Sequence, residues 1–325
     1  MEDVVLGLSG AGAARRLIDH VARGLVGRRD LVERMVIALL SGGHVLVEGA
    51  PGIAKTRAVR RLAEAMEVSL GRVQCTPDLM PSDITGMQVF RQEEGRMEFL
   101  RGPVFNGLVL VDEINRAPPK VQSALLEAMA EAQVTAAGKT FELPTPFMVI
   151  ATQNSLEHEG TFPLPEAQLD RFLMHVVLDL PDEAAELAIL DLVDGESRGE
   201  TERVQEKVSR DDLMRMSREV LDVHLSAALR NYIVALVLAT RREAPGLSVT
   251  SRIRQPVSPR GTLALAASAR ARAYLHGRDF AIPEDVEVLV PDVLAHRMTP
   301  TWRALAEGDT SRSLLAEIVA RVRPL

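Results

Sequence analysis

The chain has 325 residues, 46% of them hydrophobic and 26% charged, and 45 acidic side chains against 38 Lys and Arg give a formal charge of −7. This length favours two domains of about 150 residues, and the composition excludes a globally disordered chain. The acidic balance and an aromatic share of 3% argue against nucleic-acid binding, because phosphate contacts need cations and base stacking needs aromatic rings.

Cysteine content and hydropathy exclude further classes. The single cysteine, Cys75, rules out intramolecular disulfides and cysteine-rich zinc sites, and we expect it to be a small buried hydrophobe. No apolar run reaches the ~18 residues of a membrane span, and the N-terminus lacks the basic start of a secretory signal. We therefore expect a cytoplasmic protein without membrane insertion.

Residues 1–182 alternate short apolar runs with helical patterns, which predicts an α/β domain with a mostly parallel sheet. Helices are expected over 30–40 and 118–133. A third is expected to begin at the end of segment 48–56 and to continue to about residue 66. Strands are expected over 44–47, 109–111, 148–150 and 175–180. Alternating residues around glycine-containing turns predict two hairpins, over 87–99 and 134–143.

The pattern becomes helical after residue 182. Helices are expected over 183–193, 211–221, 226–242, 261–276, 284–290 and 314–322, with a loop over 194–207. The sequence therefore predicts an α/β domain over 1–182 and an all-α domain over 183–325.

Residues 48–56, EGAPGIAKT, indicate a phosphate-binding loop between the first strand and a helix. The pattern G-x-x-x-x-G-K-[ST] is met at Gly49, Lys55 and Thr56, but Ala54 stands where the second glycine belongs. Alanine suits that position if its dihedral angles are helical. Loop N–H groups would hold phosphate, Lys55 would reach the β- and γ-phosphates, and Thr56 would bind Mg²⁺. The predicted nucleotide-binding residues are Gly49, Ala50, Pro51, Gly52, Ile53, Ala54, Lys55 and Thr56. The alternative is an ordinary strand–turn–helix.

Two apolar strands end in polar residues that suit phosphoryl transfer. Asp112 and Glu113 follow the strand over 109–111, and neighbouring residues there point in different directions. We assign Asp112 to the Mg²⁺ ion and Glu113 to the attacking water. Asn154 follows the strand over 148–150. It would lie opposite the γ-phosphate if that strand lay between the other two, and otherwise it would be a turn former.

These motifs resemble the MoxR family of AAA+ ATPases. The most specific is residues 112–129, DEINRAPPKVQSALLEAM, and the resemblance covers nearly the whole chain. The other matching segments are 49–56, 81–86, 102–105, 151–154, 159–172, 258–260 and 283–286.

The resemblance implies an AAA+ P-loop core with a mostly parallel five-stranded sheet and a C-terminal all-α lid. It implies a homo-oligomeric ring, expected to be a hexamer, with ATP between subunits. It makes Asn154 a sensor and Arg171 an arginine finger that reaches a neighbour's γ-phosphate. Arg260 looks like a second sensor, in its own subunit or across the interface, and Val26-Gly27 resembles an adenine-pocket segment. The two hairpins resemble pore-facing insertions.

The first functional hypothesis is Mg-ATP hydrolysis coupled to chaperone-like remodelling or activation of a protein partner. The family resemblance suggests that this partner bears a von Willebrand factor A domain. Two alternatives remain at this point: a motor linked to nucleic acid or transcription, and a scaffold whose assembly is controlled by nucleotide. The acidic charge counts against the first alternative, and the set of hydrolysis residues counts against the second.

Overall fold

The computed structural model describes residues 9–93, 95–136, 138–154, 160–198, 207–242 and 249–324. None of the helices in these ranges has the length and apolar composition needed to cross a bilayer. The helices are α1 (Ser9–Arg23), α2 (Arg29–Leu40), α3 (Lys55–Glu64), α4 (Pro81–Thr85), α5 (Pro119–Glu131), α6 (Glu166–Leu169), α7 (Glu183–Ser197), α8 (Arg210–Asp222), α9 (Ala227–Ala239), α10 (Pro259–Leu275), α11 (Pro283–Glu287), α12 (Val290–Leu294), α13 (Trp302–Ala306) and α14 (Ser311–Arg321). The strands are β1 (Val45–Gly49), β2 (Leu70–Gln74), β3 (Gly86–Arg91), β4 (Arg96–Arg101), β5 (Leu108–Asp112), β6 (Gln133–Ala136), β7 (Lys139–Glu142), β8 (Met148–Gln153), β9 (Met174–Leu178), β10 (Ile253–Gln255) and β11 (Thr299–Pro300).

Five parallel strands form the central sheet in the order β2-β5-β8-β1-β9. Every residue of β5 is buried, as are the first five residues of β8, because helices cover both faces of a parallel sheet. The predicted α/β fold with a five-stranded sheet is confirmed. Strand β8 lies between β1 and β5, which is the condition on which the interpretation of Asn154 depended.

Several elements differ from the sequence-based expectations. Strand β2, which supplies one edge of the sheet, had not been predicted, and neither had the short elements α4, α6, α13, β10 and β11. The single helix expected over 284–290 is wrong, because α11 ends at Glu287 and α12 begins at Val290. The expected loop over 194–207 is wrong at its start, because α7 continues to Ser197. The Asp182 side chain caps this helix by accepting a hydrogen bond from the Ala185 N–H at 2.9 Å, and acidic residues fill its first turn. The rest of that expected loop, 199–206, lies outside the described residues.

Both predicted hairpins are present, as the antiparallel pairs β3–β4 and β6–β7. Glu94 and Ala137, at their turns, lie outside the described residues. The Phe99 ring of β4 stacks on the Phe141 ring of β7, with centroids 4.5 Å apart, and both rings meet Phe105 edge-on. Aromatic packing thus joins the two hairpins at their bases.

The helical second half packs directly against the N-terminal helices. One hydrophobic core runs from α1 and α2 through the β1 side of the sheet to α8, α9, α10, α12 and α14. A Cβ atom on Gly10 of α1 would lie 2.2 Å from the Tyr274 hydroxyl of α10, so only glycine allows this approach. The lid is therefore seated on the N-terminal helices as well as on the sheet.

His44, immediately before β1, is buried in its neutral form. Its Nδ1 accepts the Val149 N–H at 3.0 Å, so the ring proton lies on Nε2, which donates to the Met129 carbonyl at 3.1 Å. Burial lowers the pKa of His44 from 6.5 to about 4. The ring joins β1, β8 and the end of α5 through two hydrogen bonds, and the one that Nδ1 accepts from Val149 needs the neutral ring.

We expect the stability advantage of the parent over a His44→Asn variant to shrink as the pH falls from 6.5 to 4. In this window the unfolded parent binds a proton at residue 44 that the folded parent does not, so protonation favours unfolding. The difference in unfolding free energy between the two proteins should decrease by about 3 kcal/mol, because the pKa of His44 is lowered from 6.5 to about 4. Urea unfolding of both proteins at several pH values measures it, because other titrating groups cancel in the difference. A gap that stays constant with pH would contradict the neutral assignment.

Candidate active site

The phosphate-binding loop connects the carboxyl end of β1 to α3. A Cβ atom on Gly49 would lie 2.8 Å from the Leu178 carbonyl oxygen, so no other residue fits there without a shift of the backbone, and the φ of +84° at Gly52 favours glycine. The Lys55 ammonium donates to the Gly49 carbonyl at 2.6 Å and to the Gln153 carbonyl at 2.9 Å. Its charge is therefore held at the centre of the loop, between β1 and β8.

Ala54 does not have the helical dihedral angles that we expected. Its φ of 66° and ψ of 18° are left-handed, and the residue forms the N-cap of α3. This conformation costs an L-residue about 1–2 kcal/mol, because the Cβ atom approaches the following carbonyl oxygen. Residue 54 is an alanine, but it has the left-handed backbone conformation that a glycine at this position of the G-x-x-x-x-G-K-[ST] pattern would adopt without strain.

An Ala54→Gly variant is expected to be more stable than the parent by about 0.5–1 kcal/mol. The strain relieved exceeds the ~0.4–1 kcal/mol of backbone entropy that glycine adds to the unfolded chain. Thermal unfolding measures the gain. Ala63→Gly in the last turn of α3 is the control and should destabilise the protein by up to about 1 kcal/mol. If both glycines destabilised the protein equally, the left-handed assignment would be wrong.

Asp112, at the end of β5, is buried and accepts hydrogen bonds from three elements. The Thr56 hydroxyl of α3 donates to Asp112 Oδ1 at 3.1 Å, and the Thr152 hydroxyl of β8 donates to the same oxygen at 3.4 Å. Arg72 Nε of β2 donates to Oδ2 at 2.8 Å. The structure thus brings together the two residues that the sequence assigned to Mg²⁺, Thr56 and Asp112.

Glu113 lies beside Asp112, but its side chain has a different partner. Its left-handed backbone, with a φ of 58°, turns the chain away from β5, and its N–H donates to the Thr152 hydroxyl at 3.0 Å. The Glu113 carboxylate is about one-third exposed and forms an ion pair with Arg116 Nε at 3.0 Å. The two acids therefore face different groups, as the pattern at the strand end predicted.

Asn154 and Cys75 lie on opposite sides of the acid pair. Asn154 is 5% exposed and directly follows Gln153, whose carbonyl accepts the Lys55 ammonium. Cys75 is buried, as expected, and its N–H donates to the Asp112 carbonyl at 3.0 Å. Burial and the nearby charges of Asp112 and Glu113 raise the pKa of the Cys75 thiol to about 12, so it stays protonated and unreactive.

Val26 and Gly27 lie next to the helix that follows the loop. Arg57 of α3 donates through Nε to the Gly24 carbonyl at 3.0 Å, and Arg28 donates to the Asp179 carbonyl at 2.7 Å, just beyond β9. A Cβ atom on Gly27 would lie 3.8 Å from Ala185 of α7. The segment that resembles an adenine pocket is therefore enclosed by α3, the end of β9 and α7.

Arg171 lies near the amino ends of the parallel strands, whereas the loop lies at their carboxyl ends. We call these two sides the amino and carboxyl edges of the sheet. Strand β9 pairs Met174 with Val45 and Leu178 with Gly49, so Arg171 precedes the amino end of β9, whereas the loop begins at the carboxyl end of β1. The strand alone separates the two edges by roughly 13 Å, beyond the reach of an arginine side chain. Arg171 Nη1 donates to the Leu126 carbonyl of α5 at 2.8 Å.

Arg260 shares this edge with Arg171. It is the second residue of α10, its side chain is 59% exposed, and its Nη1 lies 3.7 Å from a carboxylate oxygen of Asp170. The structure brings together the loop, Asp112, Glu113 and Asn154 at one edge of the sheet and the two arginines at the other. We call the second edge, with Arg171 and Arg260, the arginine edge.

Sequence reasoning had given no role to four residues that hold the two edges in shape: Arg72, Arg116, Thr152 and Arg297. A threonine after four apolar residues of β8 was a weak signal for Thr152. Arg72 was missed together with β2. Arg116 lay within the quoted motif, and the carboxylate that Arg297 binds, Asp170, is 127 residues away in the sequence.

The residues around the loop fit a magnesium–nucleotide complex. The donors are an ammonium, loop N–H groups, one hydroxyl and one carboxylate, which are the groups that bind phosphates and Mg²⁺. The part of the chain that the structure describes contains no group of three or more His, Cys, Asp or Glu side chains that could hold a metal ion by themselves. Mg²⁺ usually takes one or two protein ligands together with substrate phosphates, and Thr56 and Asp112 would provide them.

Comparison with known proteins first identifies the class. Residues 44–174 match the ATPase family associated with various cellular activities (AAA), and residues 247–318 match the AAA lid domain. The crystal structure of a Cytophaga hutchinsonii protein assigned as an ATPase superposes with a TM-score of 0.88 at 39% identity, covering 98% of this chain and 97% of that one. The fold is that of an AAA+ ATPase.

Two relatives define the family within that class. The chaperone MoxR1 of Mycobacterium tuberculosis is 45% identical over 309 residues, which are 94% of this chain and 81% of that protein. The protein MoxR of Methylorubrum extorquens is 34% identical over 303 residues, which are 88% of this chain and 87% of that protein. The chain belongs to the MoxR family of AAA+ ATPases, as its motifs predicted, and it is an ATPase.

Proposed function

We propose that the chain hydrolyses Mg-ATP within a homo-oligomeric ring of six subunits and uses the energy to remodel or activate a protein partner. One observation carries the proposal. The groups that bind and attack ATP meet at one edge of the sheet, whereas the two arginines of the motif set lie at the other edge. A complete site therefore needs two subunits.

Within one subunit, the loop and Lys55 bind the phosphates, and Thr56 and Asp112 hold Mg²⁺. When bound there, Mg²⁺ would supply positive charge that offsets the negative charge of the phosphates. The hydrogen bonds of Thr152 keep Asp112 in position and fix the backbone of Glu113. Asp112 is thus oriented before nucleotide arrives, which reduces reorganisation during the reaction.

Glu113 orients the attacking water and accepts its proton. Its carboxylate is partly exposed and paired only with Arg116 among the contacts described here, so it can exchange that partner for water. Asn154, at the end of the strand between β1 and β5, donates its amide N–H to the water or to a phosphoryl oxygen.

The neighbouring subunit supplies Arg171, and we propose that Arg260 acts from the same neighbour. Support comes from their shared edge and from the distance to their own loop. A guanidinium stabilises charge that develops on the transferring phosphoryl group, and its arrival only on assembly links hydrolysis to the ring.

The partner is proposed to bind the β3–β4 hairpin. Two cross-strand pairs of this hairpin expose apolar side chains, Met87 with Leu100 and Phe90 with Met97, each more than one-third exposed. The relative named as a chaperone supports a protein client, and the family resemblance suggests one with a von Willebrand factor A domain. Flexible and aromatic apolar side chains suit a variable protein surface.

Capture of partners by a Glu113→Gln variant in the presence of Mg-ATP tests this coupling. We expect partners to be retained by this variant and lost when Lys55→Ala is added, because the double variant cannot hold ATP. A Phe90→Ser/Met97→Ser variant should keep ATP hydrolysis but lose the partners. Retention that is the same without nucleotide, or with the altered hairpin, would contradict the coupling.

A further inference from the structure

Asp170 is the junction between the arginine edge and the lid. It directly precedes Arg171 in the chain, and its carboxylate accepts a hydrogen bond from the Ser258 hydroxyl at 3.2 Å. The same hydroxyl accepts the backbone N–H of Arg260 at 3.2 Å. One carboxylate is therefore connected to both arginines, by one peptide bond and by one serine.

Arg297 of the lid uses all five of its N–H donors at this junction. Nε donates to Asp170 Oδ1 at 2.9 Å, and Nη2 donates to the Asp170 and Phe172 carbonyls at 3.3 and 2.6 Å. Nη1 donates to the Leu173 carbonyl at 3.1 Å and to the Val293 carbonyl. Its side chain is only 3% exposed. A guanidinium has five N–H groups in a fixed plane, so each donor direction here is matched by an acceptor.

Four of these five acceptors belong to the segment that carries Arg171, and the fifth is the Val293 carbonyl of α12. The carbonyls of residues 170, 172 and 173 lie on both sides of Arg171, between α6 and β9. The stem of Arg297 also lies against the start of α10, where a Cβ atom on Gly261 would be 3.5 Å from Arg297 Cδ. A shift of the lid turn that carries Arg297 would therefore move both arginines together.

We propose that Arg297 is a positioning residue that fixes Arg171 and Arg260 as one rigid unit and so makes the arginine edge respond to the lid. The inference rests on the proposed function, in which Arg171 acts on the nucleotide of a neighbouring subunit. The conformation of the lid in one subunit then sets the hydrolysis rate in the next, without a direct contact between Arg297 and ATP.

Mixed rings test this assignment. A Lys55→Ala subunit keeps its arginine edge but cannot bind ATP, and an Arg171→Ala subunit keeps its loop, so a mixture recovers activity at shared sites. Adding Arg297→Lys to the Lys55→Ala subunit should lower that recovery about 10²-fold, since displacement of a reacting group by about 1 Å has this effect. Adding it to the Arg171→Ala subunit should change the recovery less than twofold. Lysine keeps the charge but lacks the planar fork.

Arg34→Lys is the matched control. Arg34 is a buried arginine that joins α2 to the lid through Asp292, at 3.1 Å, and its ion-pair partners, Asp292 and Glu33, lie outside the segment that carries Arg171. It should leave the recovery unchanged in either subunit. If Arg297→Lys prevents folding, as judged by circular dichroism and gel filtration, Asp170→Asn replaces it and should show the same dependence on the subunit, with a smaller loss.

The outcomes separate the two hypotheses. If the simple mixture fails to recover activity, catalysis across subunits is wrong, and the role of Arg297 falls with it. In a second outcome, the simple mixture recovers ATPase activity and the mixture with Arg297→Lys in the Lys55→Ala subunit recovers it to the same extent. In that case only the positioning role of Arg297 is wrong. Equal losses in both subunits would assign Arg297 a general structural role and overturn the proposal.

Discussion

Replacing Glu113 with Gln is expected to lower the steady-state turnover of ATP by a factor of about 10²–10⁴, while ATP binding persists. Glutamine has the shape of glutamate but cannot accept the proton of the attacking water. The Asp112–Thr56 pair and the Lys55 contacts do not involve the Glu113 side chain, so the nucleotide site should remain intact. Phosphate release and the binding of a fluorescent ATP analogue measure the two properties separately.

Glu127→Gln is the control, because Glu127 is an exposed glutamate on α5, the helix that follows this acid pair. It should leave turnover within twofold of the parent. Turnover by Glu113→Gln at the parent rate would show that another group accepts the proton. Loss of ATP binding together with turnover would instead mean that Glu113 serves the architecture of the site.

The second large effect is expected at Arg171. Its replacement by alanine should lower turnover by about 10³-fold or more, because an arginine finger stabilises the transition state far more than the bound substrate. Lysine should not restore the rate, since it lacks the planar pair of donors. Loss of the hydrogen bond to the Leu126 carbonyl should cost only about 1 kcal/mol of stability. Turnover and thermal unfolding, measured on the same preparations, separate the two effects.

Arg254→Ala is the matched control for Arg171→Ala. Arg254 of β10 pairs with Glu166 of α6 at 3.0 Å, and both side chains are well exposed, so the pair contributes about 0–1 kcal/mol. Its loss should leave turnover unchanged. A similar decrease in both variants would mean that removing any arginine from this region disturbs the site, and a small effect of Arg171→Ala would remove its proposed role.

Local patterns sufficed for the parts of the fold in which neighbouring residues decide the structure. The strands at Val45–Gly49, Leu108–Asp112 and Met148–Gln153 are apolar runs that end in polar residues, and parallel strands bring their carboxyl ends to one edge. The loop, the acid pair and Asn154 could therefore be assigned to one region from sequence. Strand β2 gave a weaker signal, because Gly71 and Arg72 interrupt it at the sheet edge.

Contacts between distant residues could not be predicted. Arg297 and Asp170 are 127 residues apart, and Arg297 looks like a surface residue in its local sequence, although it is the most fully bonded arginine described above. The left-handed conformation of Ala54 was also hidden, since alanine normally indicates a helix. In both cases the surrounding structure overrides the preference of the residue itself.

A structure of the protein with Mg²⁺, ADP and aluminium fluoride provides the most direct measurement of the central claim. The fluoride occupies the place of the transferring phosphoryl group, so every group that stabilises the reaction should contact it. We predict that the Arg171 guanidinium of a neighbouring subunit donates to the fluoride, while Lys55, Thr56 and Asp112 come from the subunit that holds the ADP. A fluoride contacted only by residues of its own chain, or a nucleotide-bound particle of one subunit, would contradict the account.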